Sequence, residues 1–203
     1  MSLTLPAFPL GRSSRRLLAD QHGFTLLEVL VAIVVLSFGV LGVVGLQAAA
    51  LQANKDARYQ STAVALGREL GDLMRGNKDL AAVDNSATNP FLGDYTTLPT
   101  TTTDCYAAAC ASPNAVATHN MRDWLTRVQA ALPGARVVVC FDDTAYDGGG
   151  QLTWGCTSAV AGRAAAVVKI GWTRQGFDRS ASQPISGSTR PSVVLPLIPG
   201  STT

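Results

Sequence analysis

The sequence predicts an α+β protein: a long amino-terminal helix whose second half packs on an antiparallel β-sheet of three or four strands. Three observations predict it. From Val29 to Ala53 there are 25 consecutive uncharged residues; at a rise of about 1.5 Å per residue, a helix of these spans about 38 Å, enough to cross a bilayer. Apolar residues then recur at helical spacing as far as Met74. Beyond residue 135, short β-branched runs alternate with glycine- and proline-rich reversals. Composition sets the outer bounds. A chain of 203 residues holds one ordinary domain plus an appendage. Hydrophobic residues make 47% and charged ones only 15%, against roughly 25% charged in soluble domains. That excludes a disordered or collagen-like chain and argues against a plain cytosolic enzyme. A net charge of +2 provides no basic field, so nucleic acid is not an expected partner.

Four segments follow along the chain: a leader at 1–23, a transmembrane helix at 24–53, an amphipathic helix at 54–76 and a globular head at 77–203. The leader carries Arg12, Arg15 and Arg16 against a single Asp20. Positive charge just before an apolar span holds that end in the cytoplasm and places the head outside it. After the leader, 13 bases balance 13 acids, so the leader charge is an orientation signal rather than part of a binding surface. The apolar run continues without a turn into Tyr59, Ala63, Leu66, Leu70, Leu73 and Met74, one stripe of a helix with Lys55, Arg58, Arg68, Glu69 and Asp72 on its other faces. Gly76-Asn77 is a plausible stop. A helix from Phe24 to Arg75 would reach about 78 Å, and packing against a sheet is the expected use of its stripe.

Residues 77–119 lose all periodicity and are rich in Thr, Pro, Asn and Ser, as in Thr100 to Thr103, which predicts a long surface loop with at most a short helix or turn. A second helix is expected from an Asn120 cap, with Met121, Trp124, Leu125, Val128 and Leu132 on one face and Pro133-Gly134 ending it. Three strands are expected at Arg136–Asp142, Gln151–Thr157 and Ala164–Thr173, with Asp147-Gly148-Gly149-Gly150 reversing the chain between the first two. In the third, Val168, Ile170 and Trp172 alternate with Lys169, Gly171 and Thr173. Val193 to Leu197 suits an edge strand, where Pro196 is tolerated.

The segment with most functional content is Gly23-Phe24-Thr25-Leu26-Leu27-Glu28-Val29-Leu30. It resembles the processing site of type IV prepilins and of their relatives, the type II secretion pseudopilins. The resemblance implies a type IV pilin-like fold, cleavage after Gly23 by a prepilin peptidase, N-methylation of the new terminus at Phe24, and retention of the apolar helix in the mature subunit. The physical reading of Glu28 is independent of that resemblance. A carboxylate inside an apolar span costs about 2.5–3.5 kcal/mol on insertion scales, and no partner lies within one turn on its own face. Cleavage would create an α-amino group at Phe24, at i,i+4 from Glu28; in the family the glutamate pairs with the terminal amine of a neighbouring subunit. The plainer alternative is a glutamate that snorkels to the interface, about 6 Å away by helical rise. A secretory signal peptide ending at Ala48-Ala49-Ala50 is also conceivable, but its apolar region would span only about 7–15 residues. Gly39, Gly42 and Gly45 recur every third residue, either for close helix packing or, as the family implies, to soften the helix in a filament. Many members have a proline near Gly45; this chain has none.

Cys105, Cys110, Cys140 and Cys156 all follow the span, on the side expected to be oxidising. Four cysteines allow three pairings. The favoured one joins Cys105 to Cys110 across a small loop and Cys140 to Cys156 across the Asp-rich reversal. Zinc is disfavoured because no C-x-x-C spacing exists. Cys110 with Pro113, Asp123-Trp124, Leu132-Pro133-Gly134, Val139-Cys140-Phe141 and Val168-Lys169-Ile170-Gly171-Trp172 resemble the head of minor pilins of the PilV family. Asp142, Asp143 and Asp147 beside three glycines could hold calcium, though such tips are usually solvated turns. No active-site motif and no cofactor signature is present.

The resemblance therefore implies a structural subunit rather than an enzyme: a minor pilin of the type IV pilus that aids assembly, and so twitching motility or adhesion. A type II secretion minor pseudopilin shares every amino-terminal residue and is the alternative; a membrane-anchored periplasmic enzyme or binding protein is a third possibility. The implied partners are the prepilin peptidase, other minor pilins, the major pilin and the inner-membrane assembly platform. The implied location is the bacterial inner membrane, then the pilus.

Overall fold

The computed structural model describes residues 23–100, 104–157, 165–173 and 190–200. The leader (except Gly23) and Ala164 of the expected third strand lie outside them. Among the described residues, three helices and four strands follow in the order α1 (Leu26–Gly76), α2 (Lys78–Ala81), β1 (Gly93–Tyr95), α3 (Pro113–Ala131), β2 (Arg136–Asp142), β3 (Ala165–Gly171) and β4 (Val193–Leu197). The chain divides into two compact units, residues 1–48 and 49–203. In the first, every described residue of α1 is exposed, including Leu30, Ile33, Leu36 and Leu41. This stretch makes α1 long and apolar enough to cross a membrane.

The second unit is built on a four-stranded antiparallel sheet of order β1-β2-β3-β4. The stripe on α1 packs against it. Ala63, Leu66, Leu70 and Met74 are buried, and they join Trp124, Leu125 and Val128 of α3 and Val137, Val139, Val168 and Ile170 of the sheet in one core. Gly67 lets the helix and sheet approach closely: a Cβ there would meet Leu195 Cδ1 at 2.4 Å and Val168 Cγ1 at 3.4 Å. Trp124 ties the helices together by donating its indole N–H to the Leu66 carbonyl at 2.9 Å, so this large core side chain is also satisfied as a polar group.

Helix α3 starts earlier than its apolar stripe suggested. Ser112, not Asn120, is the cap: its hydroxyl accepts from the Ala115 N–H at 3.2 Å, and Pro113 occupies the first turn, where a missing N–H costs nothing. Leu132 ends the helix, and Gly134 adopts φ 59°, a conformation that glycine reaches without a Cβ penalty.

The loop expected at 77–119 holds two elements that periodicity could not reveal. The four-residue α2 is one. The other is β1, whose glycine and aspartate are poor strand formers. Side-chain contacts fix both. Asn89 is wholly buried; its amide donates to the carbonyls of Ala81 and Val83, and its Oδ1 accepts from the Phe91 N–H. Arg136 then grips Asp94 with two nitrogens, at 3.0 and 2.6 Å.

The strand expected at Gln151–Thr157 does not form. Both neighbours of β2 are taken, by β1 and β3, so the segment has no place beside it. Instead it returns on the preceding residues through an isolated bridge, Tyr146 to Leu152, and single bonds from the Asp143 N–H to the Thr157 carbonyl and from the Thr153 N–H to the Ala145 carbonyl. The Asp147–Gly150 reversal forms inside this excursion, with Asp147 Oδ1 accepting from the N–H groups of Gly149 and Gln151. The excursion is fastened to the sheet face opposite the α1 stripe. A disulfide joins Cys140 to Cys156, Arg136 lies 4.5 Å above the Trp154 ring, and Lys169 donates to the Gly155 carbonyl. Lys169 is consequently wholly buried, although it alternates with the core residues Val168 and Ile170 and lies on the other face.

Candidate processing and assembly site

Gly23, Phe24 and Thr25 precede α1 as irregular backbone. The helix begins with a cap: the Thr25 hydroxyl accepts from the Glu28 N–H at 3.2 Å, and the Thr25 carbonyl accepts from the Val29 N–H at 3.3 Å. This role for Thr25 was legible in principle, because Thr25-x-x-Glu28 spells the capping-box pattern. It fixes where the irregular backbone ends. The Gly23–Phe24 peptide bond therefore lies outside the helical hydrogen-bond ladder, which begins at the Thr25 carbonyl.

Phe24 is 82% exposed, and Glu28 stands exposed in the first turn of α1. Acidic charge there is favourable to the helix itself, since the first-turn N–H groups carry partial positive charge. Thr25 and Glu28 thus share the helix start, with Phe24 immediately before it. At Gly39, Gly42 and Gly45 a Cβ would meet nothing within 4 Å, so these glycines serve no close contact among the described residues, and α1 continues unbroken through them.

Away from this terminus, the cysteines pair as Cys105–Cys110 and Cys140–Cys156. The first ring abuts α3: the Cys105 N–H donates to Nδ1 of the buried His119 at 3.2 Å, and Tyr106 meets that imidazole edge-on at 4.7 Å. Two of the aspartates considered for calcium are ion-paired. Asp142 is buried on Lys169, and Asp147 pairs with Arg190. Among the described residues no group of three His, Cys, Asp or Glu side chains is arranged to hold a metal.

Comparison with known families bears on the terminus. Residues 18–44 match the family model of the prokaryotic N-terminal methylation motif. The match covers the segment around Gly23, Phe24 and Glu28 and the first turns of α1, and it supports a type IV pilin or pseudopilin, a structural subunit that is processed by a prepilin peptidase and assembles with other pilins. It does not extend to the head. No curated protein and no solved structure matches the chain significantly. The amino-terminal motif and the fold of helix on antiparallel sheet are thus the two independent supports for a pilin-like subunit anchored in a membrane before assembly.

Proposed function

We propose that the chain is a minor pilin of a type IV pilus, similar to PilV, which is cut between Gly23 and Phe24, methylated at Phe24 and incorporated through Glu28. The observation that carries this reading is the methylation-motif match at residues 18–44, on a helix start where Thr25 caps the chain just beyond the scissile bond. The head contributes support of a weaker kind, since it carries two disulfides and tightly buried polar contacts, fitting a subunit that must survive outside the cell. Pairing of the Glu28 carboxylate with a neighbour's Phe24 amine would offset the cost of carrying a charge into a low-dielectric filament core. The amino terminus would face the cytoplasm and the head the periplasm, with the inner-membrane platform, other minor pilins and the major pilin as partners.

The test is mass spectrometry of membrane-extracted protein together with fractionation. A mature chain beginning at N-methyl-Phe24 and recovered with sheared surface pili supports the proposal. The same terminus with recovery only in secretion-dependent pseudopili would move the subunit to the type II secretion system. An intact leader in assembled material, or a mature start at Leu51, would overturn the family reading.

A further inference from the structure

The first two charges after the uncharged run stand on a small recess. Gln52, Lys55, Asp56 and Tyr59 of α1, together with Pro133 beyond α3 and Thr173 beyond β3, line a volume of about 150 Å³. Lys55 is exposed, whereas Gln52, Asp56, Tyr59 and Thr173 are half-buried. Adjacent residues on a helix do not face one another, so Lys55 and Asp56 cannot neutralise each other, and neither has an ion-pair partner among the described residues. The recess thus offers one free cation, one free anion, a carboxamide and two hydroxyl groups.

Its position along α1 narrows the ligand. A bilayer hydrocarbon core about 30 Å thick takes about 20 residues of helix, and polar headgroup regions flank it. The uncharged run exceeds that by only a few residues, so Lys55 and Asp56, two and three residues past Ala53, reach headgroup level when α1 is in the membrane.

We propose that this recess binds the headgroup of a phospholipid bearing a primary amine, phosphoethanolamine chemistry, while the acyl chains stay in the bilayer. The phosphate is held by the Lys55 ammonium and the Gln52 amide. The lipid ammonium donates to the Asp56 carboxylate and to the hydroxyl oxygens of Tyr59 and Thr173. A purely anionic headgroup would leave Asp56 opposed by like charge. A choline headgroup has no N–H to donate and adds three methyl groups to a volume about half that of the smallest drug-sized pockets. The inference rests on membrane anchoring of α1 and goes beyond it, to the lipid that the subunit holds before assembly.

The test uses the full chain. Flotation with phosphatidylcholine vesicles first establishes anchoring. Native mass spectrometry from mixed micelles then compares retention of phosphatidylethanolamine, phosphatidylcholine and phosphatidylglycerol at equal concentration, with free phosphoethanolamine and inorganic phosphate as competitors. Preferential retention of phosphatidylethanolamine is expected, displaced by phosphoethanolamine and not by phosphate. Asp56→Asn should lower that retention roughly tenfold, as the loss of one charge-assisted hydrogen bond implies, and raise that of phosphatidylglycerol, whose phosphate no longer faces a like charge; Lys55→Gln should lower both. Equal retention of the three lipids in protein that floats, or displacement by phosphate as effective as by phosphoethanolamine, would overturn the headgroup assignment alone. Failure to float would overturn the anchoring, and the lipid site with it.

Discussion

Lys169 Nζ lies 2.6 Å from Asp142 Oδ2, and both side chains are wholly buried. They project from neighbouring strands on the sheet face opposite the α1 stripe, four positions apart in register, since Asp142 pairs with Ala165 and Val138 with Lys169. The lysine reaches along the strand to close that gap, and the 143–157 excursion seals it from water. Removing one partner leaves the other charged and buried, which typically costs about 3–5 kcal/mol. Lys169→Met should therefore destabilise the head by that order in a denaturant titration followed by tryptophan fluorescence. Adding Asp142→Leu should recover only part of the loss, because Asp142 also accepts from the N–H groups of Thr144 and Thr157. A loss below about 1 kcal/mol for Lys169→Met, the range of exposed pairs, would show that the pair is solvated in solution.

The same aspartate links stability to acid. Burial alone would raise its pKa, but the hydrogen bond from Lys169, those from the N–H groups of Thr157 and Thr144, and the Lys169 charge outweigh burial and hold it below the ordinary 3.8. With the folded value below the unfolded one, its contribution is complete above pH 3.8 and is lost as pH falls from there through the folded pKa. Denaturant midpoints measured on the full chain in detergent should fall more steeply with acid below that point for the native protein than for Asp142→Asn. Parallel curves for the two would mean that Asp142 titrates alike in folded and unfolded chains.

Tyr95 gives the opposite dependence. Its hydroxyl donates to the carbonyls of Pro90 and Leu92 near the β1 edge, and burial pushes its pKa from 10.0 up to about 12. The folded state then keeps a proton that the unfolded chain releases, so this contribution is intact below pH 10 and falls as pH rises from 10 towards 12. Tyr95→Phe should begin less stable by about 1 kcal/mol, one net hydrogen bond. It should then lose less stability than the native protein across that alkaline window. An equal alkaline loss in both proteins would assign the effect to other groups.

What the sequence made legible follows from the range of the forces involved. The α1 stripe, the α3 face and strands β2, β3 and β4 each announce themselves within about ten residues, because burial of one face imposes a period on the chain. Pro196 was even readable as an edge-strand residue. Elements fixed by distant partners were not legible: β1 depends on Arg136, 42 positions from Asp94. Lys169 illustrates the point most sharply. Alternation correctly placed it opposite Val168 and Ile170, yet its burial was decided by an excursion whose course depends on the Cys140–Cys156 link and on β2 having no free edge. At the amino terminus the residues of the motif were legible outright, since they are contiguous, and only the capping role of Thr25 went unread.

Glu28 offers the decisive test of assembly. Its carboxylate is exposed within the first turn of α1, three residues after the Thr25 cap. Glu28→Ala should leave the cap in place, because Thr25 receives the backbone N–H of residue 28 rather than its side chain. It should also leave membrane insertion intact, since removing a charge makes the span more apolar. If the carboxylate recruits a neighbour's terminal amine, entry into filaments should fail, because that amine would be left without its counter-charge in a low-dielectric setting. A glutamate that merely snorkels predicts normal incorporation instead. Cells expressing Glu28→Ala should therefore contain normal levels of this subunit in membranes and greatly reduced levels in the sheared filament fraction. The mass of the mutant chain, measured in the same samples, distinguishes an assembly defect from a processing defect, because an uncut chain retains residues 1–23. Native levels of the processed variant in sheared filaments would refute the pairing.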